Sequence, residues 1–250
     1  MIEIKTPAEI ESMRKASRVV AEVLKELKPL VKPGVTTAEL DKFAERRVRE
    51  LGAVPAFLGY RGYPATLCVS INEEIVHGIP SPKRTVRAGD IVSLDMGAVI
   101  EGFYGDAAVT VAAGAVSPQA RRLMEVTSRS LDEALAAVRA GARLGDVCHA
   151  VEKYAEANGM SVVREFTGHG IGRHLHEEPS IPNFGRPGSG PVLKAGMTLA
   201  IEPMLCLGGA DVVVKNDGWT AVSADGSLAA HYEHTIAVTE DGCDVLSRAS

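Results

Sequence analysis

Cysteine, aromatic residues and long apolar runs are all scarce in this chain. The four cysteines lie far apart and include no Cys-x-x-Cys pair, which excludes a disulfide framework and a zinc ribbon: Cys68, Cys148, Cys206 and Cys243. We expect most of them to be small core residues. No apolar run is long enough to span a bilayer, and the N-terminus lacks the basic segment and apolar core of a signal peptide. We therefore predict a cytoplasmic protein that has no membrane partner.

An excess of positive charge is also missing. The formal net charge is −5, and the lysines and arginines are spread along the chain, which argues against a polyanion-binding surface. Nucleic acid is therefore not the expected primary ligand. The chain contains no His-Glu-x-x-His zinc helix and no Gly-x-Ser-x-Gly nucleophile turn. The glycines from Gly168 to Gly172 do not have the spacing of a dinucleotide-binding loop.

The chain does contain an internal repeat. Arg87-Ala88-Gly89 leads through an apolar run to Asp95, and Lys194-Ala195-Gly196 leads through another to Glu202, 107 residues after Asp95. The same offset of 107 relates Gly34 to Gly141, Glu45 to Glu152 and Gly52 to Gly159. With 250 residues, 46% of them hydrophobic, the chain can bury a large core. We predict a single domain over 1–250, duplicated in halves of about 1–112 and 113–250, with a carboxylate site where the halves meet.

Helix and strand signals alternate in the same order in both halves. Capping residues, prolines and glycines predict four helices: about Thr6 to Leu27, Thr36 to Gly52, Ser117 to Val138, and a shorter one from the Gly141–Gly145 turn to Asn158. Seven β-rich runs follow them: Thr66–Ile71, Ile91–Val99, Phe103–Ala112, Met197–Ile201, Val212–Lys215, Thr220–Ser223 and His231–Val238. The pattern predicts an α+β fold made of two helix-helix-strand-strand halves.

Two acidic residues lie on either side of a predicted tight hairpin at Ile100-Glu101-Gly102. A turn centred there sets residues whose numbers sum to about 201 opposite one another, so we expect Asp95 to face Asp106. Directly opposed residues have Cβ atoms about 5 Å apart, and like charges there destabilise a sheet unless something neutralises them. A metal ion is the simplest neutraliser, provided that the register holds, since a slip of one residue turns Asp106 to the other face.

Three further residues complete a candidate metal site. Glu202 comes from the symmetry-related strand, Glu233 lies at an edge of the last long strand, and His169 lies among glycines that let the backbone approach a ligand. Four carboxylates and one imidazole suit two divalent ions, because the formal charges cancel. Such ligands accept Mn, Fe, Co or Zn. Taken singly, each residue has a structural explanation: a turn cap, a strand end at the surface or a hydrogen-bonded loop histidine.

Seven residues in order resemble the signature of the type I methionine aminopeptidases, the pita-bread metallopeptidases: His77, Asp95, Asp106, His169, His176, Glu202 and Glu233. The resemblance covers nearly the whole chain. Its most specific stretches are Leu58-Gly59-Tyr60 with Gly62-Tyr63-Pro64, Ser70-Ile71-Asn72-Glu73 with His77-Gly78-Ile79-Pro80, Gly168–Gly172 with His176-Glu177-Glu178-Pro179, and Tyr232-Glu233-His234-Thr235. The resemblance implies a pita-bread fold with a curved, mainly antiparallel sheet in a single catalytic domain.

The resemblance also implies an activity, namely removal of the N-terminal methionine from nascent proteins and peptides with a small second residue. The family's pattern gives five residues as ligands of two divalent ions, with Asp106 and Glu233 bridging: Asp95, Asp106, His169, Glu202 and Glu233. A hydroxide held between the ions is expected to attack the peptide carbonyl, with Glu202 as proton shuttle. His77 and His176 match the family's two non-ligand histidines, which contact the scissile amide and the tetrahedral intermediate.

A methionine pocket should be aromatic and tolerant of sulfur. The residues that match the family's pocket positions are Tyr60, Tyr63, Cys68 and Trp219, in a chain with only 4% aromatic residues. Phe57 and Leu175 depart from the family pattern, which puts the shape of the pocket rim in question. Backbone carbonyls of Asn72 and Glu74 are candidate ligands for a monovalent cation.

Two other functions stay open. One is a pita-bread aminopeptidase or dipeptidase that cuts before proline, although such enzymes usually carry a long N-terminal domain. The other is a non-catalytic binding protein built on the same fold, although here all five ligands and both histidines are retained. As partners we expect N-terminal methionine peptides and nascent chains, with transient contact to the ribosome, and we expect the protein to be a monomer.

Overall fold

The computed structural model describes residues 2–248, so Met1, Ala249 and Ser250 of the predicted domain lie outside the described part. Four α-helices occur in residues 2–248: α1 (Pro7–Leu27), α2 (Thr37–Glu50), α3 (Pro118–Ala137) and α4 (Leu144–Ala157). Thr6 and Thr36 each accept a hydrogen bond from the backbone N–H three residues on, and the glutamate there bonds back to the cap. The four predicted helices are confirmed, and most of their ends agree with the prediction to within one or two residues.

The described residues contain fifteen strands, most of them short. These are β1 (Val54–Pro55), β2 (Leu67–Ile71), β3 (Glu74–Val76), β4 (Ile91–Ile100), β5 (Phe103–Ala112), β6 (Ser161–Val162), β7 (Gly168–Gly170), β8 (Glu177–Ile181), β9 (Thr198–Ile201), β10 (Met204–Cys206), β11 (Val212–Val214), β12 (Ala221–Ser223), β13 (Ala229–His231), β14 (Glu233–Val238) and β15 (Cys243–Val245). Single 3-10 turns lie at Lys28–Leu30 and Tyr60–Gly62.

The main sheet has nine strands and is antiparallel at every pairing between described strands. Its order is β1-β4-β5-β14-β9-β7-β8, with β2 also paired to β4 and β15 to β14. Helices α1 and α2 bury Leu24 and Leu40 with Leu94 of β4, whereas α3 and α4 bury Leu123 with Leu199 of β9. Each helix pair therefore packs with strands of its own half, and β5 and β14 meet at the centre.

The prediction of one continuous strand from His231 to Val238 is wrong. The run from His231 to Val238 is divided at Tyr232 into β13, which pairs with β10 in a separate three-stranded sheet, and β14, which belongs to the main sheet. The partner strands β9 and β10 are divided at the same level by Pro203, which has no N–H to donate to a ladder. Tyr232 N instead donates to the Pro203 carbonyl, 3.2 Å away.

Contacts recur between the halves at the offset seen in the sequence. Gly34 N donates to Val86 O and Gly141 N donates to Leu193 O, each at 2.9 Å. These glycines have φ values of 98° and 86°, in the left-handed region that favours glycine. The isolated β-bridges Thr36–Thr85 and Arg143–Val192 are likewise 107 residues apart.

The predictions about the cysteines and about membrane-spanning segments can be compared with the structure. All four cysteines are free; three are buried and Cys243 is half-buried, which confirms the prediction that most are core residues. Among residues 2–248, no helix combines the length and apolarity needed to cross a membrane.

Candidate metal centre and active site

The β4–β5 hairpin carries two of the predicted ligands, but its register differs from the predicted one. Glu101 and Gly102 form a two-residue turn with φ values of 53° and 78°, and Ile100 pairs with Phe103. Asp106 therefore pairs with Gly97, and Asp95 pairs with Ala108. The prediction that Asp95 directly faces Asp106 is wrong by two residues. Because side chains alternate with a period of two, both carboxylates still lie on the same face as diagonal neighbours.

A third carboxylate, that of Glu233, lies beside these two. Ala108 of β5 pairs with Asp95 on one side and with Glu233 of β14 on the other, so the side chains of Asp95 and Glu233 lie on the same face of the sheet as that of Ala108. His169 of β7 pairs with Ala200 of β9, and Glu202 follows two residues after Ala200. The small side chain of alanine at these crossing points leaves room above the sheet for the acidic groups.

Polar atoms of the five predicted ligands converge above this face. Ligand atoms of Asp106, His169 and Glu233 all lie within 4.8 Å of one another. His169 Nε2 is 4.0 Å from Asp106 Oδ2 and 3.6 Å from Glu202 Oε1. Asp95 lines the same cavity. The structure thus brings together all five residues that the sequence indicated.

The carboxylates of this cluster are buried and poorly satisfied. Three buried oxygens of this cluster have no hydrogen-bond partner among the described residues: Asp95 Oδ1, Asp106 Oδ1 and Glu233 Oε1. Burial raises the pKa of Asp95 and Glu202 to about 7, and it raises the pKa of Asp106 and Glu233 further, with mutual repulsion adding to the effect. Oxygen atoms left unpaired and held together at this density fit the hard, oxygen-rich ligation of divalent ions.

His169 is prepared to act as a ligand through its hydrogen bond. Its Nδ1 lies 2.9 Å from the Gly170 carbonyl, which only accepts, so Nδ1 carries the proton and the Nε2 lone pair faces the carboxylates. Glycine is needed on both sides of this residue. A Cβ at Gly168 would collide with the Ala200 carbonyl oxygen, and one at Gly170 would collide with the Glu178 carbonyl oxygen. Substitution at either position would therefore push apart the strands that hold His169.

A cavity of about 150 Å³ opens over the cluster. It is lined by all eleven predicted site residues, namely Tyr60, Tyr63, Cys68, His77, Asp95, Asp106, His169, His176, Glu202, Trp219 and Glu233. Phe57 and Leu175, the two departures from the family pattern, also line it. The volume is below the roughly 300–1,000 Å³ of pockets for drug-sized ligands. The cavity therefore fits a single side chain and the bond next to it.

His77 and His176, the two histidines predicted not to bind metal, lie on the cavity wall and are neutral. Desolvation lowers the pKa of His77 and of His176 to about 4. His77 has a φ of 61° and makes edge contacts with the rings of Phe166 and Trp219, at centroid distances of 5.3 and 6.2 Å. The left-handed backbone at a non-glycine residue is strained, a feature that clusters at functional sites.

Two residues near the site were missed by the sequence analysis. Arg61 lines the cavity with a φ of 49°, and its guanidinium lies 5.4 Å from the centroid of the Tyr60 ring. His231 is 1% exposed and lies 3.6 Å from Glu202. Arg61 lies between two matched motif stretches, which could have indicated it, whereas His231 carried no local signal besides its closeness to Glu233.

One of the two carbonyls predicted for the monovalent site is already engaged, since the Asn72 carbonyl accepts from Ala229 N at 2.8 Å. A carbonyl oxygen has a second lone pair. The monovalent cation stays a prediction.

Comparisons with known proteins agree with the site. A model of metallopeptidase family M24 matches residues 11–240. A methionine aminopeptidase of Clostridium acetobutylicum is 49% identical over 247 residues, covering 99% of each chain. The crystal structure of a methionine aminopeptidase from Thermotoga maritima has a TM-score of 0.98 at 49% identity, covering 99% of this chain and 100% of that one.

A more distant match shows how widely the fold is shared. A Xaa-Pro dipeptidase from Bacillus anthracis has a TM-score of 0.81 at 23% identity, over 99% of this chain and 62% of that one. At that identity the likeness concerns the fold alone. The predicted pita-bread fold and the resemblance to methionine aminopeptidases are confirmed. From the extent of the family match and the near-complete coverage at 49% identity, the chain belongs to metallopeptidase family M24, a family of enzymes.

Proposed function

We propose that this enzyme removes the N-terminal methionine from peptides and nascent proteins whose second residue is small. The observation that carries the proposal is the cavity itself: five candidate metal ligands, two neutral histidines and an aromatic, sulfur-containing wall line one space. Its similarity to methionine aminopeptidases, at 49% identity, supports the same substrate.

The proposed metal ligands are Asp95, Asp106, His169, Glu202 and Glu233, holding two divalent ions of Co, Fe, Mn or Zn. The formal charge of four carboxylates balances two such ions, which Asp106 and Glu233 would help to hold from the central strands β5 and β14. When bound, the ions would supply Lewis-acid chemistry that activates a water and stabilises charge on the scissile carbonyl oxygen.

The remaining roles belong to the protein's own groups. Glu202 accepts the proton from the attacking water and delivers it to the leaving amine, a role open to a carboxylate that lines the cavity. His77 and His176 donate hydrogen bonds to the scissile amide and to the developing oxyanion. Tyr60, Tyr63, Cys68 and Trp219 surround the methionine side chain.

The cellular setting belongs to the same proposal. We infer that the protein acts in the cytoplasm as a monomer, on nascent chains, through transient contact with the ribosome. We also propose that the residues of 1–250 form a single catalytic domain whose halves, about 1–112 and 113–250, arose from one duplicated unit. The bonds that recur at the offset of 107 residues support that origin.

Hydrolysis of short peptides tests this function. Purified protein is chelated, reloaded with Mn, Fe, Co or Zn in turn, and assayed on Met-Ala-Ser, Met-Lys-Ser and Gly-Pro-Ala. We expect metal-dependent release of methionine from Met-Ala-Ser, little release from Met-Lys-Ser, and none of glycine. Titrating each ion back into the chelated protein also gives the number of ions bound per chain.

An Asp106→Asn variant provides the matched control, because it removes a charge from the centre without changing shape. It should lose metal and activity together. Release of glycine would transfer the assignment to enzymes that cut before proline. Absence of cleavage with every ion would favour a binding protein built on this fold.

A further inference from the structure

His231 is a buried histidine beside the metal centre whose ring has no partner. It is 1% exposed, and neither Nδ1 nor Nε2 has a hydrogen-bond partner among residues 2–248. An imidazole carries at least one N–H donor in every protonation state. Leaving a buried donor unsatisfied is costly, so a buried ring of this kind is expected to acquire an acceptor in the working enzyme.

The acceptor that the geometry offers is Glu202. His231 Nε2 lies 3.6 Å from Glu202 Oε2, while His169 Nε2 lies 3.6 Å from Glu202 Oε1. The carboxylate thus has one imidazole beside each oxygen. A shift of a few tenths of an ångström brings the His231 pair into hydrogen-bond range.

The two imidazoles are not equivalent. Nδ1 of His169 donates a hydrogen bond to the Gly170 carbonyl. Its Nε2 therefore presents a lone pair to Glu202, and a cation is needed between the two groups. His231 has no competing acceptor at Nδ1 and can present an N–H at Nε2. A ligand and a hydrogen-bond donor on opposite sides would fix the direction of the carboxylate.

The backbone of His231 is held firmly enough for this role. His231 N donates to Thr110 Oγ1 and the Thr110 hydroxyl donates to His231 O, both at 2.9 Å, and the residue also pairs with Met204. It ends β13, directly before the chain passes to β14 and the ligand Glu233. The backbone that carries the ring is therefore held in place next to Glu202.

We propose that His231 is a positioning residue, whose Nε2–H donates to Glu202 Oε2 and orients Glu202 for proton transfer. The inference rests on the proposed function, because it assigns Glu202 a role in the reaction. It differs from a sixth-ligand role, in which His231 itself would bind an ion.

The test compares His231→Gln, whose amide N–H can reach the place of Nε2, with His231→Leu, which has no donor. Kinetics on Met-Ala-Ser are paired with calorimetric titration of Mn²⁺ into metal-free protein. His149→Leu, a half-buried histidine on α4 away from the cavity, is the control. We expect His231→Leu to lower kcat by about 10- to 100-fold, as removal of outer-shell partners does. KM and the number of bound ions should stay unchanged, and His231→Gln should recover most of the loss.

A thermodynamic cycle adds a readout that a merely structural role would not change. If His231 acts through Glu202, the combined His231→Leu and Glu202→Gln variant loses less activity than the two separate losses multiplied together. Should His231→Leu fail to fold, His231→Asn replaces it, because its shorter amide falls short of the carboxylate.

Several results would overturn the inference. These are an unchanged kcat in His231→Leu, equal damage in the Gln and Leu variants, or the loss of one bound ion, which would make His231 a ligand. A wild-type protein that releases no methionine with any ion contradicts the proposed function instead. The two failures are therefore distinguishable.

Discussion

The hydroxyl of Tyr60 lies 2.8 Å from Nδ1 of His176, and the two rings stack with centroids 5.3 Å apart. Desolvation lowers the pKa of His176 to about 4, and the positive charge of Arg61 adds to the effect, so the ring is neutral at pH 7. The proposed oxyanion role needs the imidazole proton on Nε2, which is the tautomer in which the Tyr60 hydroxyl donates to Nδ1. That arrangement gives the proposed oxyanion site a donor.

Replacement of Tyr60 by phenylalanine should lower kcat about tenfold, because a hydrogen bond of about 1–1.5 kcal/mol no longer selects the tautomer. Bound metal should be unchanged, since Tyr60 is not a ligand. Steady-state hydrolysis of Met-Ala-Ser and calorimetry of Mn²⁺ binding measure the two quantities. Tyr154→Phe, on α4 outside the cavity, is the control and should have normal kcat. A normal kcat in Tyr60→Phe would mean that the tautomer is set in another way.

Replacement of His77 by alanine should lower kcat by 10²-fold or more, the usual size of a lost acid-base or hydrogen-bonding group, while metal content stays near that of the wild type. The ring is neutral above a pH of about 4 and contacts Phe166 and Trp219 rather than the carboxylates. Turnover numbers and metal analysis of the same preparation provide the comparison. Loss of metal in proportion to activity would identify His77 as a ligand or a structural residue.

The parts of the fold that could be predicted from the sequence are those with local causes. The first turns of α1 and α2 follow from Thr6 and Thr36, which form capping boxes with residues three positions along. The register of β4 against β5 depends on which two residues take positive φ, and that choice moved Asp106 two positions from its expected partner. The division at Tyr232 depends on Pro203, which is close only in the folded chain.

The candidate site likewise contains residues that could be predicted from the sequence and residues that could not. Its ligands could be found because several carboxylates at repeated positions need a common neutraliser, and the family motifs named the same residues. His231 could not be found, because its importance comes from an empty hydrogen-bonding position next to Glu202 in space. Arg61 likewise gains its place from a left-handed turn at the cavity rim.

Binding of divalent ions should release protons and should strengthen as the pH rises from 6 to 8. Burial raises the pKa of Asp95 and Glu202 to about 7, so in the metal-free protein these carboxyls are largely protonated at pH 6. Their raised pKa values stabilise the metal-free fold below about pH 4, and that contribution is lost as the pH rises through 7. Added Mn²⁺ should therefore raise Tm more at pH 8 than at pH 6.

Calorimetry in buffers of different ionisation enthalpy counts the released protons directly. More protons should be released per chain at pH 6 than at pH 8. The Asp106→Asn variant, which should bind little metal, should release few protons at either pH. Equal Tm shifts at the two pH values, with no proton release, would show that the carboxyls are already ionised before metal binds.

Thr235 fixes the backbone at Asp106, a proposed metal ligand, and its loss should affect stability and metal binding together. Its hydroxyl donates to Asp106 O at 2.7 Å and accepts from Asp106 N at 3.0 Å, and the side chain is fully buried. Thr235→Val keeps the shape but leaves both backbone groups unpaired, at about 1–3 kcal/mol each. The expected result is a fall in Tm of roughly 2–4 °C per kcal/mol and weaker Mn²⁺ binding.

Thr127→Val also removes a buried hydroxyl, which bonds Leu123 O within α3, and should lower Tm without changing the affinity for Mn²⁺. Parallel loss of metal affinity in both variants would trace the effect to general destabilisation rather than to the position of Asp106.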